Sequence, residues 1–349
     1  MKEPLIFDGH NDLLLRLHNK DVALDDTGVF GDGGRQIDLH KAEVGGFGGG
    51  FFAIFVPGAE SISHNDEMMK EAYHVPLPPM LDWQDAIKVA LSQAAILIEL
   101  EQRDALRICR TTADIRAAMA EGRMAAVMHM EGAEAIDPDF NTLEVLHAAG
   151  LRSLGPVWSR PTRYGHGVPF RFPSSSDTGD GLTPDGVRLV KRCNALKIMI
   201  DLSHMNEAGF WDVARNSDAP LVATHSNAGA LTPHSRNLSD RQLHAIRDSD
   251  GMVGLNFAVA FLREDGRMDE NTPISRMLDH LDYLMAELGE DRVGMGSDFD
   301  GAAVPAEIGT IAGLPALRTA MVARGYDAAL MKKLCHENWL RVLGKTWGE

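Results

Sequence analysis

The chain has 349 residues, 44% of them apolar and 24% charged, the balance of a soluble globular protein with a sizeable core. A formal charge of −16 sets it against nucleic acid and anionic membrane surfaces as partners, since both would repel it. No stretch approaches the ~20 apolar residues of a membrane helix, and the polar MKEP before Leu5 holds no apolar leader, so a cytoplasmic location is expected.

Eight short apolar runs recur along the chain, beginning with LIFDGHND and GGFFAIFVP. MAAVMHMEG, LRSLGPVWS, KIMIDLSH, PLVATHSN, GMVGLNF and RVGMGSDFDG follow. Most are apolar throughout, as strands covered on both faces must be. Helical patterns separate them. WQDAIKVALSQAAILIEL is long and amphipathic, and TPDGVRLVKRCNAL opens with Thr183 as an N-cap before a first-turn proline. SDRQLHAI starts with a capping box of Ser239 and Gln242, ISRMLDHLDYLMAELG ends in a capping glycine, and YDAALMKKLCHENWLRVLG closes the chain. Strand and helix in eight alternations predict a parallel sheet closed into a (β/α)8 TIM barrel, one α/β domain over residues 1–349.

Two connections exceed the few residues usual in such a fold: PGAESISHNDEMMKEAYHVPLPPM after the second run and RPTRYGHGVPFRFPSSSDTGDG after the fourth. Both should leave the C-terminal mouth of the barrel, where loops shape a pocket. GGFGGG precedes a strand rather than a helix, so its glycines are read as backbone room, not as a phosphate loop. Cys109, Cys193 and Cys335 are odd in number and lack CxxC spacing, so free buried thiols are expected. No GxSxG elbow supports a serine nucleophile.

Polar residues gather where the runs end. His10 and Asp12 are two apart and should point together toward the barrel axis. Glu131 ends the third run, His204 the fifth, His225 the sixth, and Asp298 and Asp300 the eighth. Packing does not explain such repetition, because each group costs several kcal/mol to bury unpaired. A pair of divalent cations would satisfy them together. Imidazoles with carboxylates suit zinc or a similar transition metal, and the number of donors suits two ions. His129 should face inward one layer deeper, supporting the ligands rather than joining them.

The ordered set DGHND, MEG, DLSH, THSN, SRN and GSDFDG resembles the renal (membrane) dipeptidase family, peptidase family M19, a branch of the metal-dependent amidohydrolase barrels. The likeness spans almost the whole chain and fits the family's soluble bacterial branch. It implies that His10 and Asp12 hold one zinc ion, His204 and His225 the other, and that Glu131 bridges them. It further implies Arg236 as receiver of the substrate carboxylate and Asp298, not Asp300, as the catalytic carboxylate; spacing alone does not choose between those two.

The implied function is hydrolysis of dipeptides, with tolerance for a C-terminal D-residue. A water bridging the metals would be activated, and Asp298 would act as general base and then acid. Family members are often homodimers. One position departs: animal members carry a histidine at the end of the fourth strand, where Trp158 stands here. An indole donates one hydrogen bond but cannot become a cation, and His166 in the following loop is the candidate replacement. Competing readings are another amidohydrolase, acting on lactones, cyclic amides or phosphotriesters, and an inactive metal-binding barrel. The first-run HxD and the absence of lysine in LRSLGPVWS oppose the former.

Overall fold

The computed structural model describes residues 3–58 and 66–349, so part of the first long insertion lies outside the described residues. Its strands are β1 (Ile6–Asn11), β2 (Phe47–Phe55), β3 (Tyr73–Val75), β4 (Leu106–Ile108), β5 (Met124–Glu131) and β6 (Leu151–Gly155). They continue with β7 (Phe170–Phe172), β8 (Met199–Ile200), β9 (Val222–Ala223), β10 (Met252–Leu255) and β11 (Val293–Met295). Eight of them run parallel in the order β8-β6-β5-β2-β1-β11-β10-β9. A bridge between Asp201 and Val222 joins the two ends, so the sheet curls into the barrel the sequence predicts. Each of the eight apolar runs supplies one of these strands.

Strand alternation decides what fills the interior. Phe7, Phe51, Ala125, Val127, Met199, Val222 and Met252 form one buried cluster inside the barrel, whereas Ile6, Phe52, Ala126, Ile200 and Val253 belong to the layer shared with the helices. Trp339 joins the interior cluster from the C-terminal helix, and its indole N–H donates to the Met295 carbonyl at 2.9 Å. Glycines make the space: a Cβ at Gly9 would lie 2.5 Å from the indole, and one at Gly294 2.8 Å from it. The closing helix differs from the expected continuous one. A π turn at Lys333–Glu337 separates Ala328–Lys332 from Asn338–Trp347, and such a turn re-aims the residues that follow it.

The predicted caps are in place. Thr183 accepts the Gly186 N–H, the Gln242 amide oxygen accepts the Ser239 N–H at 2.9 Å, and Gly289 ends its helix at φ 85°. All three cysteines are buried and free. No helix among the described residues is long and apolar enough to cross a membrane.

The two long insertions do not hang separately. Their β3 and β7 segments pair antiparallel, Tyr73 with Phe172 and Val75 with Phe170. The Tyr73 hydroxyl donates to the Gly266 carbonyl at 2.6 Å, which ties this small sheet to the loop beyond β10.

Trp339→Ala should cost about 3–5 kcal/mol, as loss of a large buried aromatic does. Denaturant unfolding measures it, and a loss below 1 kcal/mol would show that the indole does not hold the barrel floor.

Candidate metal centre and active site

The path of β1 sets the first two polar residues. Its pairing with β2 slips between Asp8 and Asn11, a bulge that resets the alternation. Asp8 therefore turns toward β11, where it accepts the Ser297 N–H and hydroxyl, both at 2.6 Å. His10 turns inward instead. Asp12 lies one residue past the strand at a helix N-cap, yet its carboxylate accepts no capping bond and sits 3.4 Å from His10 Nε2.

Glu131 ends β5 on the face already fixed by Ala125 and Val127. One of its oxygens, Oε1, is the meeting point of the site. It lies 3.6 Å from His10 Nε2, 3.1 Å from His204 Nε2 and 3.5 Å from His225 Nε2. The last two nitrogens are 3.1 Å apart. The five residues expected to hold metal thus converge from four separate strands' ends.

Hydrogen bonds behind the rings orient them. The Thr224 hydroxyl donates to Asp201 Oδ2 at 2.6 Å and so accepts the proton of His225 Nδ1 at 2.8 Å, leaving Nε2 with a free lone pair. His204 bonds the Ser159 hydroxyl through Nδ1 at 2.8 Å, which likewise turns Nε2 to the cluster. His129 is buried beneath, bonded to Ser153 at 2.9 Å and 3.6 Å from Asp201, and burial holds it down at about 4. Its ring packs edge-on against that of His10, 5.6 Å between centroids. Ser159, Thr224 and Asp201 escaped the sequence reading; their adjacency to strand-end histidines was the available signal.

The aspartates of the eighth run differ from expectation. β11 stops at Met295, and both Asp298 (φ 64°) and Asp300 (φ 65°) are left-handed, so they do not share a strand face. Asp298 is anchored by its N–H to the His10 carbonyl at 3.0 Å, and its Oδ2 accepts the Asn256 amide at 3.0 Å. Its carboxylate groups with His10 and Asp12. Asp300 instead accepts the Gln36 N–H at 3.0 Å. The geometry separates the two where spacing could not. His204 is also left-handed, at φ 63°. Such conformations cost of order 1–3 kcal/mol each and persist only where the surroundings enforce them.

Burial dominates the electrostatics. It drives the Glu131 carboxyl well above its usual range, with His10 opposing and Asp12 and Asp298 reinforcing. Asp298 is raised for the same reason. Burial keeps His204 and His225 neutral, far below their ordinary value. His10 is the exception: burial opposes its charge, but Glu131 and Asp12 push it up to about 10. Two buried carboxylates, Asp12 and Glu131, and the half-buried Asp298 thus crowd imidazoles, and both ring nitrogens of His10 lack a hydrogen-bond partner among the described residues. That donor set fits divalent transition-metal cations, which neutral imidazole nitrogen and carboxylate oxygen bind together.

Arg236 is 3% exposed, donates to the His225 carbonyl at 3.2 Å and stands 5.4 Å over the Phe261 ring. Burial lowers it to about 10, with Asp298 and Glu131 holding it up, so it stays cationic at neutral pH. The cluster opens into a cavity of about 690 Å³ lined by Asp12, Glu131, Trp158, His204 and Asp298 among others. Trp158 is where the fourth run places it, its ring 5.6 Å from His204. His166, in the loop beyond Trp158, is half-buried and does not line the cavity.

Comparison with known proteins identifies the family. The chain is 55% identical to a metallo peptidase from Rhodobacter sphaeroides solved with a phosphinate mimic of the dipeptide L-Ala-D-Ala, at a TM-score of 0.97, covering 99% of this chain and 100% of that one. It is 51% identical over 265 residues, 75% of this chain and 98% of the relative, to a protein encoded in the pqqA 5′ region of Klebsiella pneumoniae. Dipeptidase ataJ of Aspergillus terreus is 30% identical over 365 residues, 97% of this chain and 84% of the relative. The family described as membrane dipeptidase (peptidase family M19) matches residues 1–347, and the chain belongs to that family of metal-dependent dipeptidases.

Proposed function

We propose that this chain hydrolyses the amide bond of dipeptides with two zinc ions, held by His10 and Asp12 on one side, His204 and His225 on the other, and Glu131 between. The observation that carries the reading is the convergence of three imidazole nitrogens on Glu131 Oε1, between 3.1 and 3.6 Å, at the floor of one cavity. Bound there, divalent cations would lower the pKa of a water and polarise the scissile carbonyl.

The chain's own groups supply the rest. Asp298, fixed at Oδ2 by Asn256, has Oδ1 left to take the attacking water's proton and pass it to the leaving amine. Arg236 has an Nε without a partner among the described residues, suited to a charge-assisted bond with the substrate's C-terminal carboxylate. Trp158 lines the cavity wall in place of an ionisable side chain. A C-terminal D-residue is an expected substrate feature, as in the phosphinate mimic bound by the Rhodobacter enzyme.

Residues 1–349 act as one domain in this reading, because the site residues run from His10 to Asp298 and Trp339 returns to the floor. The site is assembled within one chain, so a homodimer is not needed to complete it. Three buried free thiols support a reducing, cytoplasmic setting.

Chelation should lower the Tm and zinc should restore it, since a ligand bound only to the folded state at 1,000 times its Kd adds about 4 kcal/mol. Glu131→Gln should abolish that response; an unchanged Tm in the native protein contradicts the ligand assignment. Asp298→Asn should cut kcat by ~100-fold or more with bound metal retained by elemental analysis, and full activity would remove Asp298 from the chemistry. Arg236→Met should lower kcat/KM for a free dipeptide by ~30-fold or more, as loss of a buried charge partner does. The same change should matter far less for the C-terminal amide, and equal losses on both substrates contradict carboxylate binding.

A further inference from the structure

Resting on the dipeptidase reading, we infer that an apolar wall built by the two insertions selects the substrate's C-terminal side chain. The preferred substrates are then dipeptides with an apolar C-terminal residue. Met68 comes from the first insertion, Phe170 from the second, and Phe261 from the segment after β10. Met68 and Phe261 form one buried apolar cluster, against which Phe170 and Met268 pack, and all four line the cavity. The β3–β7 pairing holds the two insertions in register, so the wall has a fixed shape.

The position of the wall identifies which residue meets it. Phe170 lies 6.2 Å from the His204 ring, nearly edge-on, and is stacked on Phe261 at 6.1 Å. Phe261 in turn lies under Arg236, 5.4 Å from its guanidinium carbon. The rings therefore run from the metal-binding end of the site to the carboxylate-binding end. A dipeptide spans the same path with only its amide nitrogen and C-terminal Cα between the scissile carbonyl and the terminal carboxylate. The side chain on that Cα is the one the rings receive.

The N-terminal residue lies beyond the scissile carbonyl. Away from that wall the lining adds the charged and polar side chains Arg16, Arg35, Gln36 and Asp300, with Leu15 and Phe55 beside them and Glu270 at the edge of the wall. An ionised C-terminal side chain would be pressed against rings and thioethers without a partner, whereas the same group at the N-terminal position meets water and charge.

Positional isomers test this directly, because each pair shares composition and size. The zinc-loaded enzyme should favour L-Glu-L-Leu over L-Leu-L-Glu, and L-Lys-L-Leu over L-Leu-L-Lys, by at least about 10-fold in kcat/KM. Phe170→Ala should shrink both ratios toward one. Phe170→Arg, whose half-buried position tolerates a long side chain, should raise L-Leu-L-Glu relative to L-Glu-L-Leu but not L-Leu-L-Lys relative to L-Lys-L-Leu. Equal rates within each pair, or a preference that follows the N-terminal residue, overturn the inference while leaving dipeptide hydrolysis standing. Ratios unmoved in both Phe170 variants overturn the wall. Hydrolysis of none of the four peptides by the metal-loaded protein overturns the dipeptidase reading and this inference together.

Discussion

Like charges buried close together must be offset by something. Asp12, Glu131 and Asp298 stand within reach of the same imidazole, His10, and burial raises Glu131 and Asp298 while it neutralises His204 and His225. Among the described residues, His10 and Arg236 bring positive charge against these carboxylates. In a low-dielectric interior that shortage is expensive, and divalent cations relieve it with the ligand chemistry already present. The remaining architecture reads as support for this one arrangement.

That support works at three depths. At the floor, Trp339 fills the space opened by glycines and closes the barrel with side chain rather than solvent. One layer up, hydroxyls of Thr224 and Ser159 and the carboxylate of Asp201 set which nitrogen of His204 and of His225 faces the centre. At the rim, left-handed residues at His204 and Asp298 turn their side chains inward where a continuing strand would point them elsewhere. Backbone strain at those two positions is the cost of aiming the groups, and the packed barrel beneath them enforces it.

Much of this was legible in the residues. Eight apolar runs became eight parallel strands, and the strand-end histidines and acids met as their positions implied, because period-two alternation and barrel closure leave little freedom. What stayed hidden depends on local departures from regularity. The bulge in β1 that separates Asp8 from His10, the early end of β11 before Asp298, and the π turn ahead of Trp339 leave no mark in apolar spacing. The pairing of the insertions was equally invisible, since Tyr73 and Phe172 are brought together only by the barrel that carries them. His166 looked well placed because it follows the fourth strand closely in sequence, but the chain turns at the Thr162–Gly165 bridge first. Loop position, unlike strand position, does not fix direction.

The central claim is that five side chains jointly cage two ions around Glu131. Anomalous diffraction at the zinc edge from crystals of the zinc-loaded protein tests it most directly. The account predicts two strong peaks flanking the Glu131 carboxylate, one beside His10 and Asp12 and the other beside His204 and His225. No peak there, a single peak, or peaks only at other residues would contradict it.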